Sequence, residues 1–397
     1  MSGNIALMCH FQGCSSIGRA SVSKTEGCRF KSCHPYFLLP VDGAPRARHS
    51  GRERQGMSKG RVTSGMRPTG SVHLGNLHGA LDNWVRLQND YECYFFIVDW
   101  HALTTPGGGD AVGYENVSKM REYVIDMAID WVAAGLDPAK CSMFVQSHVN
   151  EVAELHLLFS MITPLGWLER NPTFKEMVLG YKIESPSYGL LGYPTLQAAD
   201  ILVYKGQFVP VGKDQEAHVN LTRDLAQRFN SLYGRDVFPI TQVLLTQVPK
   251  VPGTDSVDRK MSKSAGNYIA LAYSEERTAE IVRTMFTDPV KMRKNDKGHP
   301  DGCVVYAFHG LYNKAEQPAV RHECEEGLRG CVDCKRALAA RMNEALRPIR
   351  ERRRELKERP DRIKEILMSG AAKARTVAQA TLEEVREVLN LPPKEIF

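Results

Sequence analysis

The chain has 397 residues, 43% of them hydrophobic and 25% charged, a balance that excludes a disordered tail, a collagen or a short peptide and predicts two or three domains of roughly 150 residues each. Apolar runs such as Tyr94–Val98 fall far short of the roughly 20 residues that cross a bilayer, so no membrane-spanning helix is expected. The net charge of +6 divides unevenly: residues 1–56 carry +5, residues 57–334 carry −5 and residues 335–397 carry +6. Basic character therefore belongs to the two ends.

Residues 1–56 mix Gly, Ser, Arg and Cys around one short apolar stretch, Tyr36–Val41, with neither a helical nor a strand period. They predict a disordered extension with no packed structure. Three readings stay open for it: an Arg- and Ser-rich transit peptide, a zinc knuckle on Cys9, Cys14, Cys28 and Cys33, or sequence outside the mature protein. For the last, Gly13–Pro35 is similar to transfer-RNA gene fragments read through as protein, and Met57 stands just before the first structured motif.

From Met57 onward short apolar strands alternate with amphipathic helices, the pattern of an α/β fold with a Rossmann-type parallel sheet. Val62–Gly65 reads as a strand entering a Gly/Pro turn, and Leu77, Leu81, Trp84 and Leu87 then recur at helical spacing. Cys93–Val98 is a buried strand ending at Asp99, Trp100 and His101; Tyr114–Ala134 reads as a helix, and Ser142–Gln146 and Phe208–Val211 as further strands. Ligands of such sheets lie beyond the carboxyl ends of the strands, where these polar residues fall. After about residue 268 the strand signals fade and Ser274–Met285, Lys335–Glu358 and Arg362–Leu391 look helical. The expected division is an α/β domain over 57–268 and a helical domain over 269–397.

Gly65-Met66-Arg67-Pro68-Thr69-Gly70-Ser71-Val72-His73-Leu74-Gly75-Asn76 places glycines and a histidine between a strand and a helix. Such a loop lets backbone approach a phosphate chain, with the helix N-terminus favouring the negative charge. It is neither GxxxxGK[ST] nor GxGxxG, which lowers kinase, NTPase and dehydrogenase readings. Lys260-Met261-Ser262-Lys263-Ser264 lies in a polar loop about 190 residues later, where two lysines could neutralise phosphates. Together the two segments resemble the paired signatures of class I aminoacyl-tRNA synthetases.

Tyr193–Leu202 and Val209–Gln215, followed by His218 and Leu221–Asp224, narrow the resemblance to bacterial tryptophanyl-tRNA synthetases, over about Val62 to Leu391. The resemblance implies activation of L-tryptophan by ATP to the adenylate, with release of pyrophosphate, and transfer to the 3′ end of tRNA(Trp). It also implies a cytoplasmic homodimer, with organelle import left open. It makes Asp200 the acceptor for the indole N–H, in a pocket lined by Tyr193, Gln197, His101, Val209 and Val211. Arg67, Pro68, Thr69, Gly75 and Asn76 would meet the phosphate and adenosine side, Gly212, Lys213 and Asp214 the ribose, and Val251 the adenine. Met261, Ser262 and Ser264 complete the second signature, where Lys260 and Lys263, with Lys175 and Mg²⁺, would hold the departing pyrophosphate. His73 takes the first position of the first signature. The chain departs from many relatives at Gln197, where they have methionine, at Arg67, where they have glutamine, and at Lys213, where they have an acidic residue; several have threonine at His73.

Cys303, Cys324, Cys331 and Cys334 follow a C-x20-C-x6-C-x2-C spacing in polar surroundings. Four thiolates with one C-x2-C pair suit either a tetrahedral Zn²⁺ or a [4Fe–4S] cluster. A subset of the resembled family holds a [4Fe–4S] cluster on a nearly identical pattern, which favours the cluster. Arg347, Arg350, Arg352, Arg353, Arg354, Lys357 and Arg359 follow, interrupted by Glu351, Glu355 and Glu358. They read either as an ion-paired helix face or as a contact with transfer-RNA phosphates. Two alternatives remain at this stage, a tyrosyl-tRNA synthetase and a paralogue that forms adenylates or binds RNA without charging it.

Overall fold

Five parallel strands form one sheet in the order β3-β2-β1-β4-β5: β1 (Arg61–Met66), β2 (Glu92–Ile97), β3 (Cys141–Val145), β4 (Phe208–Val211) and β5 (Gln242–Leu245). This computed structural model describes residues 58–107, 111–180, 182–211, 216–245, 251–263 and 265–393; the expectations for residues 1–56 lie outside them. The interior strand β2 is almost wholly apolar because both its faces are covered. On one face Phe95 stacks on Trp84 at 4.5 Å, and on the other Tyr94 stacks on Tyr204 at 5.3 Å.

β1 pairs with β2 along its whole length but with β4 only at Val62↔Phe208. The strand order reverses between β1 and β4, and beyond Val62 the two strands share no register. A crevice opens there, at the position where open α/β sheets hold ligands.

Helices cover both faces of the sheet. α1 (Leu74–Asn76) runs through a π turn (Leu77–Leu81) into α2 (Asp82–Leu87), followed by α3 (Asp99–Ala102), α4 (Met120–Ala134) and α5 (Glu151–Ile162). Next come α6 (Leu165–Glu169), α7 (Pro172–Gly180), α8 (Tyr188–Leu202), α9 (Glu216–Tyr233) and α10 (Glu275–Thr284). The last four are α11 (Val304–Tyr312), α12 (Gln317–Glu325), α13 (Cys331–Lys357) and α14 (Pro360–Val388). The helix expected from Tyr114 starts at Met120, because Gly113 and Asn116 exchange backbone hydrogen bonds at 3.1 Å and close a tight loop first. β5 was not expected: at the sheet edge none of its four residues is buried, so it carries no sign of a core-facing strand.

Residues Gly56–Phe397 form one compact unit. α14 buries Ile363, Leu367, Ala371, Ala374, Ala378, Leu382 and Val385 at helical spacing, the stripe that faces a core. Much of the basic stretch in α13 is also held by partners on neighbouring helices. Arg347 pairs with Glu275 at 3.3 Å, Arg350 donates to Thr278 Oγ1 at 2.7 Å and Arg352 to the Ala133 carbonyl at 2.7 Å. Arg353 pairs with Asp130 at 2.7 Å and Asp126 at 3.2 Å. These four side chains fasten α13 to α4 and α10, which favours the ion-paired reading over phosphate contact. Among the described residues no helix is long and apolar enough to cross a membrane.

Candidate active site

The crevice between the carboxyl ends of β1 and β4 widens into a cavity of about 350 Å³. Tyr193, Gln197 and Asp200 line it from α8, His101 from α3, and Val209 and Val211 from β4. Spacings of four and three residues put the α8 trio on one helix face. Asp200 is 2% exposed. Its carboxylate accepts from His101 Nε2 at 2.8 Å and from Gln146 Nε2, which is 2.8 Å from both oxygens. Gln146 Oε1 accepts the Trp100 N–H at 3.1 Å, which turns the amide nitrogen towards Asp200. Burial pushes the Asp200 carboxyl above its usual range, and the His101 and Gln146 hydrogen bonds oppose the push. Tyr193 stands edge-on to His101 at 6.4 Å, and the Arg67 guanidinium lies 6.0 Å over the Tyr193 ring.

The two signature loops meet beside this cavity. Leu74 N–H donates to the Ile269 carbonyl at 3.0 Å and Leu271 N–H to the Val72 carbonyl at 2.9 Å, so the 65–76 loop is tied to the segment following Lys260–Lys263. Lys263 Nζ donates to the Gly70 carbonyl at 2.9 Å. Gly70 has φ +140, a conformation open mainly to glycine, and the Lys263 stem lies directly over it. Burial holds the Lys263 ammonium down at about 8. Burial, and then the Lys263 charge, hold His73 down at about 4, so its imidazole is neutral near pH 7. His73 caps α1: its Nδ1 accepts the Asn76 N–H at 3.3 Å, while its own N–H donates to Asn76 Oδ1 at 3.2 Å.

Asn267 shapes the second loop. Its Oδ1 accepts the Ser262 N–H at 2.8 Å and its Nδ2 donates to Asp255 Oδ1 at 2.7 Å. Met261 is buried, with its N–H donating to the Val251 carbonyl at 3.4 Å, and packs against Gly75. Lys260 is exposed, Pro68 is buried and Thr69 is half-buried. Lys175 is exposed on α7 and is not among the cavity-lining residues, although Thr173 and Met177 of the same helix are. Gly212, Lys213, Asp214 and Ser264 lie outside the described residues.

Cys303 precedes α11, Cys324 lies in α12, and Cys331 and Cys334 begin α13. Burial, and then the neighbouring Cys303, push the Cys334 thiol up to about 12; Cys324 and Cys331 act on it in the same direction. Yet among the described residues no three His, Cys, Asp or Glu side chains form a group that could hold a metal ion. Neither the expected [4Fe–4S] cluster nor its Zn²⁺ alternative is therefore supported by the arrangement of these cysteines among the described residues.

The family described as tRNA synthetases class I (W and Y) matches residues 57–347. The tryptophan–tRNA ligase of Thermotoga maritima is 48% identical, covering 83% of this chain and 99% of its own length. That of Aquifex aeolicus is 42% identical, over 84% and 100%. The chain belongs to the tryptophanyl-tRNA synthetase family. A solved member, the Campylobacter jejuni tryptophanyl-tRNA synthetase complexed with ADP and tryptophan, has a TM-score of 0.74 at 34% identity, covering 83% of this chain and all of that one. The protein is thus a class I tryptophan–tRNA ligase with tryptophan, MgATP and transfer RNA as substrates, which sets the tyrosyl alternative aside. The Rossmann-type sheet agrees with the expected fold class.

Sequence reasoning missed Gln146, Asn267, Thr173 and Met177. Gln146 had a usable signal, a polar residue just past the end of an apolar strand. Asn267 follows Gly266 directly after the second signature, a turn dipeptide that marks a shaped loop. Nothing local marks Thr173 or Met177, which reach the cavity only through the placement of α7.

Proposed function

We propose that the β1/β4 cavity holds tryptophan, with Asp200 accepting the indole N–H, and that the two signature loops hold MgATP beside it. One observation carries this reading: a buried carboxylate, oriented by Gln146 and His101, faces a cavity otherwise lined largely by aromatic and aliphatic side chains. A substrate without an N–H at that point would leave the carboxylate unmatched, a penalty that discriminates strongly. The ADP and tryptophan of the C. jejuni relative accord with one nucleotide and one amino acid side by side.

Activation needs no nucleophile from the protein. The tryptophan carboxylate attacks the α-phosphate and pyrophosphate leaves, so the enzyme's task is alignment and neutralisation of charge. Lys263, held over Gly70, is already aimed at the phosphate side, and Lys260 and Lys175 supply further cations as the loops close. Arg67 at the cavity, with Pro68, Thr69, Gly75 and Asn76, bounds the α-phosphate and adenosine; Gly212, Lys213 and Asp214 take the ribose, and Val251, Met261 and Ser262 the base and phosphate edge. Neutral His73 serves as the cap that keeps this loop in shape. Tryptophan-dependent ATP–pyrophosphate exchange, followed by charging of total transfer RNA, tests the reading. Lys263→Ala should cut exchange by more than tenfold while tryptophan binding persists; a normal exchange rate would overturn the assignment.

Three broader features belong to the same reading. Residues 57–268 carry the chemistry, and 269–397 face the transfer RNA. The four cysteines would hold a [4Fe–4S] cluster: the C-x20-C-x6-C-x2-C spacing supplies four thiolates, and, after burial, the thiols push one another's proton affinity upward. Bound there, such a cluster would cross-link the start of α11 to α12 and α13. Iron and acid-labile sulfide in anaerobically purified protein check this; stoichiometric zinc with neither would overturn it. The enzyme works as a cytoplasmic homodimer, paired through apolar side chains exposed on α5 to α8: Leu157, Met161, Leu165, Leu179 and Tyr188.

A further inference from the structure

Residues 251–261 close on themselves as a short hairpin that leads into the second signature. Gly253 N–H donates to the Arg259 carbonyl at 2.8 Å and Met261 N–H to the Val251 carbonyl at 3.4 Å, with Pro252 opposite Lys260. Asn267, 3% exposed, fills the mouth of this hairpin with its carboxamide. Gly253 leaves the room: a Cβ there would come 2.1 Å from Asn267 Nδ2 and 2.5 Å from Asp255 Oδ1. The carboxamide is engaged at both ends. Its Oδ1 accepts the Ser262 N–H at 2.8 Å, and its Nδ2 donates to Asp255 Oδ1 at 2.7 Å and to the Lys260 carbonyl at 3.4 Å. Accepting at one end and donating twice at the other is what a carboxamide offers and a carboxylate does not. The Asn267 backbone adds a fourth tie, its carbonyl accepting the Thr254 N–H at 3.0 Å. Asp255 also pairs with the largely exposed Arg259 at 3.1 Å. The Asn267 amide, ahead of Arg259, holds the Asp255 carboxyl below its usual range. The bond between Asn267 and Asp255 is therefore charge-assisted, about twice as strong as a neutral one.

Resting on the reading of Lys260 and Lys263 as pyrophosphate-side cations, we propose that Asn267, braced by Asp255, is a positioning residue for the activation step. Its carboxamide fixes the backbone from which both lysines project, and so sets where their charge meets the departing phosphates. The chain from Lys260 to Ser262 wraps around this one side chain, held by a carbonyl at one end and an amide at the other. Lys263 follows directly, and its amine reaches the Gly70 carbonyl at 2.9 Å. Alignment of this kind is sensitive, since a displacement of about 1 Å at a reacting group can cost roughly a hundredfold in rate. Asn267 is not among the residues lining the tryptophan cavity, so its influence falls on the chemical step and not on amino-acid binding. It acts through the backbone of residues 260–263.

The test exchanges the two partners. Asn267→Asp keeps an acceptor for the Ser262 N–H but sets a second carboxylate against Asp255. In pyrophosphate exchange by the full-length enzyme, kcat should fall by about tenfold, while the tryptophan Kd from equilibrium titration stays unchanged. Trypsin should cut faster after Lys260 or Lys263, a reading of loop order that does not depend on activity. Combining Asn267→Asp with Asp255→Asn again sets a carboxamide against a carboxylate, with the roles reversed. Exchange and trypsin resistance should then return to within about threefold of the parent, as expected of two directly coupled residues. Arg259→Met removes only the exposed ion pair and should alter neither. Should Asn267→Asp fail to fold, Asp255→Ala takes away the brace at an exposed position and should lower kcat by about threefold. An unchanged kcat in these single variants, or a double variant as slow as Asn267→Asp alone, overturns the proposal. A slow Lys263→Ala beside a normal Asn267→Asp refutes only the positioning role; normal exchange in both refutes the reading of the lysines as well.

Discussion

Among single residues, Asp200 shows how little of a side chain's role is visible in its immediate neighbours. The run Ala198-Ala199-Asp200-Ile201-Leu202 marks a carboxylate on an apolar helix, and burial follows from that. The partners that orient it do not: Gln146 is 54 residues away and His101 is 99 away, and only the sheet brings them together. Asp200→Asn keeps the shape but gives Gln146 and His101 a group with one acceptor where they now share two, and turns a donor towards the indole. The expected result is a loss of at least a hundredfold in kcat/KM for tryptophan, about 3 kcal/mol, measured by pyrophosphate exchange at varied tryptophan. An unchanged tryptophan KM would remove Asp200 from the recognition role. His73 makes the complementary case: its position in the signature was legible, but its use as a helix cap, with a pKa held at about 4, was not.

At the scale of elements, the four strands from β1 to β4 and the long helices near 275–284, 331–357 and 360–388 were legible, because each is long or apolar enough to show its period. What escaped were short or constrained pieces: β5, the π turn after α1, and the loop that delays α4. Contacts between elements escaped as well. α14 crosses β3 so closely that a Cβ on Gly370 would come 2.0 Å from the Met143 carbonyl oxygen, a reason for glycine that helical periodicity cannot reveal. β3 leads directly into Gln146, and Arg375 of α14 donates to the His148 carbonyl just beyond. Gly370→Val should therefore displace α14, lower stability by about 1–3 kcal/mol, and weaken tryptophan binding through Gln146. Denaturant unfolding together with tryptophan titration checks it; a variant within 0.5 kcal/mol of the parent (the ordinary surface-substitution range) would show that α14 is not held where described.

At the scale of the whole molecule, each of α5 to α8 exposes a large apolar side chain, with Met161 at 70% and Leu179 at 77% exposed. Patches of this kind mark association sites. Met161→Glu combined with Leu165→Glu should convert a dimer into a monomer in analytical ultracentrifugation; a monomeric parent, or an unchanged mass in the variant, would refute the interface. The divided sheet has an effect of its own at this scale. A strand edge with free peptide groups ordinarily recruits foreign strands and invites aggregation. Here the two edges left without a common ladder beyond Val62↔Phe208 face each other across a cavity lined by side chains of α3, α7 and α8. A foreign strand entering that gap would have to displace those side chains, so this pair of edges inside the sheet is shielded from neighbouring molecules.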